Sequence, residues 1–206
     1  MTVRLRPYQQ RVQNEVFDHW RNGQRNVLAV MPCGAGKTHT FSDTVRQFAQ
    51  QGQSSLLMAH RTEINAQISL TLGKHGVHHK LIAPKSVIAS ITADHRREFQ
   101  GKSFINPSSH TAVGSTDTIL ARIDTLKPWL KSLDLLVADE AHHIAYSGDH
   151  TFENANKWAK IFETCTKAWG LGVTATPLRG DGRGLGRHTD GVFDQIVLGP
   201  DMRWLI

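Results

Sequence analysis

The chain has 206 residues, 24 lysines and arginines against 18 acidic residues, and 39% hydrophobic content. That length holds one substantial domain and not comfortably two, and the composition is that of an ordinary soluble globular protein. The formal charge of +6 suits a polyanionic partner without establishing one.

The two cysteines, Cys33 and Cys165, form no CxxC pair, so neither a zinc site nor a disulfide framework is expected, and a reducing compartment is. The N-terminus, Met1-Thr2-Val3-Arg4-Leu5-Arg6, has no apolar h-region, and no apolar run is long enough to cross a bilayer. The expected location is the cytoplasm.

In chain order, residues 7–22 read as a helix with Pro7 in its first turn. Tyr8, Val12, Val16 and Trp20 recur on one face and Gly23 closes it. Val27 to Val30 reads as a buried strand. It runs into Met31-Pro32-Cys33-Gly34-Ala35-Gly36-Lys37-Thr38, and a helix follows through Phe41, Val45 and Phe48. A strand that breaks into a glycine turn and opens a helix aims backbone N–H groups and the positive helix end at one point, which suits a polyphosphate. Lys37 supplies an ammonium for the β- and γ-phosphates, and the Thr38 hydroxyl is placed to ligate Mg²⁺. The usual first glycine of such a loop is Met31 here.

Ser54 to Ala59 is expected as a strand, Ile64, Ile68 and Leu72 as a helix, and Val77 to Ala83 as another strand. Residues 84–110 read as a surface insertion, in which Val87 to Ile91 begin a helix that continues through Asp94-His95-Arg96-Arg97-Glu98 and Ile105 to Ser109 form a loop. Thr111 to Ser115 reads as a strand, followed by a helix capped by Thr116 and ended by Pro128. Leu133 to Ala138 is a strand that delivers Asp139-Glu140-Ala141-His142. Ala155, Trp158, Ala159 and Phe162 mark a helix, and Ala168 to Val173 a strand delivering Thr174-Ala175-Thr176-Pro177. A Gly/Arg loop over 179–187 precedes a strand-like piece from Phe193 to Leu198. Alternating strands and helices predict a mostly parallel sheet with helices on both faces, and ligands bind at the carboxyl edge of such a sheet.

Paired carboxylates after an apolar strand need a counter-charge. Asp139 holding Mg²⁺ opposite Thr38, with Glu140 deprotonating the water that attacks the γ-phosphate, meets that need. His142 falls beside the nucleotide and the Thr174/Thr176 turn. His78, His79, His143 and most of the 12 histidines are expected at the surface.

Together, the loop 31–38, Asp139-Glu140-Ala141-His142 and Thr174-Ala175-Thr176-Pro177 closely resemble the first RecA-like domain of superfamily 2 (DEAH/DExH-box) helicases. The Gly-rich tail 181–185 with Phe193-Asp194 is similar to the restriction-type and phage branch. The resemblance implies a single RecA-like P-loop NTPase domain over 1–206, an α/β fold that binds ATP and Mg²⁺. Pro32, Cys33, Gly34, Ala35, Gly36, Lys37 and Thr38 would hold the nucleotide, and Gln9 in Arg6-Pro7-Tyr8-Gln9 would read adenine. Lys37, Glu140 and His142 would be catalytic, and Thr38 and Asp139 would hold the metal.

Ala59-His60-Arg61-Thr62-Glu63 and Gly114-Ser115-Thr116-Asp117-Thr118 resemble the motifs along the nucleic-acid backbone, which makes Arg61 and Thr116 phosphate-contact candidates. Thr174 and Thr176 would couple hydrolysis to strand movement. The implied partners are nucleic acid, DNA favoured over RNA, and a second RecA-like domain expected outside these residues. Arg179, Arg183 and Arg187 do not match that domain's arginine fingers, so weak ATP binding and slow hydrolysis are expected of the isolated chain. A regulatory module retaining the helicase fold is the alternative. A small-molecule P-loop kinase ranks last, because it leaves the Thr174-Ala175-Thr176-Pro177 turn unexplained.

Overall fold

The protein is described here from a computed structural model, covering residues 3–144, 155–178, 184–187 and 191–200. Helix α1 (Pro7–Arg21) starts where Pro7 fixes φ at the first turn, and the Gln9 side chain accepts the Arg6 N–H at 2.8 Å, satisfying the entry to the helix. Its buried stripe is Gln9, Val12, Gln13, Val16 and Trp20, one face of a 3.6-residue repeat.

Strand β1 (Asn26–Val30) leads through the phosphate loop into α2 (Lys37–Gln50). β2 (Ser55–Ala59), α3 (Thr62–Lys74), β3 (Lys80–Ile82), α4 (Lys85–Glu98) and β4 (Thr111–Ser115) follow. The chain continues through α5 (Thr116–Ala121), α6 (Ile123–Ser132), β5 (Leu135–Asp139) and a 3₁₀ turn at Ala141–His143. It then forms α7 (Lys157–Thr164), β6 (Trp169–Thr174) and β7 (Gln195–Leu198).

The strands form one sheet in the order β3-β4-β2-β5-β6-β1-β7, and every pairing is parallel. Alternate side chains along each strand enter opposite cores. Leu28, Leu56, Met58, Leu136 and Ala138 pack with Trp158 and Phe162 of α7. Val27, Ala29, Leu57, Val137 and Val173 pack with Val12, Phe41 and Ile68 of α1, α2 and α3. Such strands, buried on both faces, read as continuous apolar runs. Truncating a core residue such as Leu28, which is fully buried, should cost about 2–5 kcal/mol.

Because all strands run the same way, their carboxyl ends line one edge. The order along that edge is Ser115, Ala59, Asp139, Thr174 and Val30. The α/β architecture with helices on both faces is therefore as expected from the alternation.

Several local expectations differ. The strand expected from Val77 to Ala83 is confined to Lys80–Ile82. Pro128 does not end a helix but lies inside α6. It is exposed, and so is Asp124, to whose carbonyl Pro128 has no N–H to donate. Ser115, not Thr116, caps α5, its hydroxyl accepting the Thr118 N–H at 3.3 Å. His79 is not a surface residue but is fully buried, its ring held by Ser69 and the Val77 carbonyl. Within 84–110 the helix expected from Val87 through Glu98 is present as α4, beginning at Lys85; it joins the neighbouring strands β3 and β4 and buries Ile91 and His95. Of the Gly/Arg loop, Arg179 and Arg183 lie outside the described residues; Arg187 pairs with Asp194.

Candidate functional site

The phosphate loop leaves β1 at Val30. Gly34 (φ 80°) and Gly36 (φ 73°) both adopt left-handed backbone. At Gly36 a β-carbon would also fall 2.4 Å from Gln9 Nε2, so only glycine fits there. Gly36 is the N-cap of α2 and offers no side-chain cap. The first N–H groups of α2 are thus left for a ligand. Lys37 and Thr38 open that helix and are partly exposed, while Cys33 and Gly34 face solvent and Pro32 is half-buried. Ala35 is fully buried and anchors the loop.

Gln9 holds the loop from the other side. Its Nε2 donates to the Ala35 carbonyl at 2.9 Å and to the Gly36 carbonyl at 3.3 Å, and the Tyr8 hydroxyl donates to the same Ala35 oxygen at 3.2 Å. Both amide hydrogens of Gln9 are engaged, so reading adenine requires that it exchange partners. Behind it, Gln13 donates to Asp43 and Thr44 of α2, both at 3.1 Å. In the sequence Gln13 and Asp43 have no role and Tyr8 only a place on the helix face. The available signal was two glutamines one turn apart within an otherwise apolar helix face.

Two strand spacings, about 10 Å, separate β1 from β5, with β6 between them. Asp139 ends β5 and is buried. Its carboxyl is pushed up to about 6, by burial first and then by the charge of Glu140, while the Glu140 N–H and the Lys37 ammonium pull the other way. Lys37 and the acidic pair therefore share one electrostatic environment. Glu140 has left-handed backbone (φ 54°), a strained conformation for a side-chain-bearing residue and one that clusters at functional sites.

That bend turns His142 toward β6. Its Nδ1 lies 3.1 Å from the Thr174 hydroxyl and 3.2 Å from Glu140 Oε2. The Thr174 hydroxyl donates to the Thr176 carbonyl at 3.0 Å and accepts the Thr176 N–H at 3.1 Å. Its proton is thus engaged elsewhere, and the proton between His142 and its two acceptors belongs on Nδ1.

Asp139, with the Thr38 hydroxyl across the loop, offers hard oxygen donors beside an incompletely balanced acidic pair. This set fits Mg²⁺, which takes one or two protein oxygens and completes its shell with phosphates and water. No group of three or more His, Cys, Asp or Glu residues among the described ones could hold a metal unaided.

On the other half of the edge, Arg61 is exposed at the N-cap of α3. Thr116 is brought to the same edge but differently: its side chain is buried and donates to the Ala59 carbonyl at 3.4 Å. Its hydroxyl is therefore not presented to a phosphate. The exposed groups at that turn include Asp117, paired with Lys157 at 2.5 Å.

The profile of the family described as "Type III restriction enzyme, res subunit" matches residues 2–179. The chain belongs to that family. It is 28% identical over 200 residues to the Saccharomyces cerevisiae protein IRC3, named as an ATP-dependent helicase; the match covers 94% of this chain and 26% of the relative. It is 25% identical over 175 residues to a 51.5 kDa protein of a Lactococcus phage, covering 85% of this chain and 28% of the relative. The chain thus spans about a quarter of the length of these relatives.

The fold is shared with the UvsW helicase from bacteriophage T4 at a TM-score of 0.60 and 16% identity, covering 95% of this chain and 60% of that one. It is also shared with the Type ISP restriction-modification enzyme LlaGI, solved with a DNA substrate mimic, at a TM-score of 0.59 and 16% identity over 96% of this chain and 20% of that one. This family member therefore has the RecA-like helicase fold of the restriction and phage branch. None of its described helices is long and apolar enough to cross a membrane.

Proposed function

We propose that this chain is the ATP-binding and ATP-hydrolysing unit of a helicase or translocase that couples nucleotide turnover to movement along nucleic acid, DNA in preference to RNA. The observation that carries this reading is the register of β1, β6 and β5. It puts Val30, from which the phosphate loop departs, beside Thr174, and Asp139 beside Val173, on one edge, and the Lys37 ammonium acts on the Asp139 carboxyl.

The loop 32–38 cradles the triphosphate with its backbone, and Lys37 offsets charge on the β- and γ-phosphates. Asp139 and Thr38 would hold Mg²⁺, which supplies further charge neutralisation when bound. Glu140 accepts a proton from the water attacking the γ-phosphorus, ADP leaves, and the P–O bond to it breaks as the new one forms. His142 shares its Nδ1 proton between Glu140 and Thr174, which links the cleavage site to the Thr174–Thr176 turn. Arg61 supplies a phosphate contact. Residues 1–206 form one RecA-like unit with 84–110 as an elaboration, and a second such unit, within a longer chain or from a partner, completes the ATP cleft. The protein works inside the cell.

A regulatory module that retained only the fold would have no need to keep Lys37, Thr38, Asp139 and Glu140 together. The test is ATP turnover with and without single- and double-stranded DNA and RNA across a salt series. The proposal expects slow turnover for the isolated chain and backbone binding that weakens steeply with salt. Identical turnover in wild type and Glu140→Gln would remove the hydrolytic role.

A further inference from the structure

His143 spans the two halves of the carboxyl edge. Along that edge the β2 end, carrying His60 and Arg61, is the immediate neighbour of the β5 end, carrying Glu140 to His143. The 3₁₀ turn is held by the Asn156 Nδ2 donating to the His143 carbonyl at 2.6 Å, while the Asn156 Oδ1 caps α7. This fixes the His143 ring against three others. It lies 4.3 Å from the His142 ring, 5.7 Å from His60 and 5.6 Å from Trp158, centroid to centroid. His142 is the residue whose Nδ1 touches both Glu140 and Thr174. A continuous path of side chains therefore runs from the exposed His60–Arg61 corner, through His143, to the cleavage carboxylate.

We propose that His143 is a positioning residue through which nucleic acid bound at His60 and Arg61 alters the His142–Glu140 contact. The proposal rests on the nucleic-acid reading above. The charged and titratable groups around His143 are His142, His60, Arg61 and Glu140. Partial desolvation of its ring by the packed neighbours, and then the first three charges, hold its imidazole below the usual range, and Glu140 pulls it up. A phosphodiester at the corner offsets the Arg61 charge and favours the imidazolium at 143. That changes the charge His142 faces, and with it the sharing of its Nδ1 proton between Glu140 and Thr174.

The test is histidine-ring NMR of the protein titrated with oligo(dT), in wild type, His143→Ala, His143→Phe and Arg61→Ala. His143 is exposed, so both variants at that position should fold, and His143→Phe keeps an aromatic ring against Trp158. In wild type the oligonucleotide should shift the His142 ring signal. In both His143 variants it should bind with unchanged affinity while that shift is lost, and Arg61→Ala should lose binding itself. A His142 signal that still responds in the variants overturns the proposal, as does one that never responds although oligo(dT) binds. If His143→Phe responds like wild type and only His143→Ala does not, ring packing carries the effect and the charge step is wrong. Failure of oligo(dT) to bind wild type at all overturns the nucleic-acid reading and this proposal together.

Discussion

Gln9 Nε2 donates to the Ala35 carbonyl at 2.9 Å, which makes the first helix a clasp on the phosphate loop. The same nitrogen lies where a β-carbon on residue 36 would have to go. Gln9→Ala removes one donor from each of two loop carbonyls, leaving the Tyr8 hydroxyl on Ala35 and the Thr40 N–H on Gly36, and deletes a buried hydrogen-bonded group. It should lower stability by about 1 kcal/mol and loosen the loop, weakening ATP binding severalfold. Thermal melts with and without ATP and Mg²⁺ check this. A variant with wild-type melting and wild-type ligand-induced stabilisation contradicts the clasp.

Asp139 should oppose folding while it serves binding. Its carboxyl titrates at about 6 in the folded protein against 3.8 ordinarily. Between those values the folded state holds more protons than the unfolded one, so stability falls as pH rises through that window. Asp139→Asn removes the penalty and should stabilise the ligand-free protein by on the order of 3 kcal/mol at neutral pH, while Mg²⁺-dependent nucleotide binding drops. A destabilised Asp139→Asn protein would show that the carboxylate is already compensated within the fold.

A buried chain of hydrogen bonds ties α3, α4 and the β3 entry together. The Phe104 N–H donates to His95 Nδ1 at 3.3 Å, which leaves His95 Nε2 as the donor to Ser69, 2.9 Å away. Ser69 then donates to His79 Nε2 at 2.7 Å, and His79 Nδ1 donates to the Val77 carbonyl at 3.0 Å. Every link needs neutral rings. Burial lowers His79 to about 4 from 6.5, and His75 likewise. Between these values the unfolded state binds more protons, so stability falls as pH drops from about 6.5 toward 4, by on the order of 3 kcal/mol for each ring. Asp139 offsets part of that loss. Ser69→Ala strands two buried ring nitrogens and should cost about 1–3 kcal/mol. Urea melts across the acid range test both statements, and a flat profile contradicts them.

The parallel sheet and the edge carrying the loop, the acidic pair and the threonine turn were legible because strands buried on both faces print continuous apolar runs, and their polar ends stand out. Contacts made across the chain were not. Nothing local to His79 says that Ser69 and His95 enclose it, since a histidine is equally at home in water. Thr116 looks like an exposed first-turn threonine until the Ala59 carbonyl is seen to take its hydroxyl. Pro128 ends a helix by local rule, yet Leu126 before it and Trp129 and Leu130 after it pack on the core and carry the helix through it. In the sequence Gln9 shows only what it could offer a base, because its role in holding Ala35 depends on a residue 26 positions away.

Glu140→Gln keeps the size and hydrogen-bonding reach of the side chain and removes its basicity. Hydrolysis should fall by roughly a hundredfold or more with ATP still bound, and the His142 Nδ1 contact should persist toward an amide oxygen. Single-turnover hydrolysis alongside equilibrium binding separates the two effects. Loss of binding with unchanged single-turnover chemistry would assign Glu140 to holding the nucleotide.

The most direct measurement is titration calorimetry of ATP with Mg²⁺ into wild type and Lys37→Ala. If the ammonium at 37 and the carboxylates at 139 and 140 face one triphosphate, wild type gives a saturable, Mg²⁺-dependent isotherm and the variant loses it while melting at the wild-type temperature. Equal binding by both proteins, or none by wild type, would contradict the assignment of this edge as a nucleotide site.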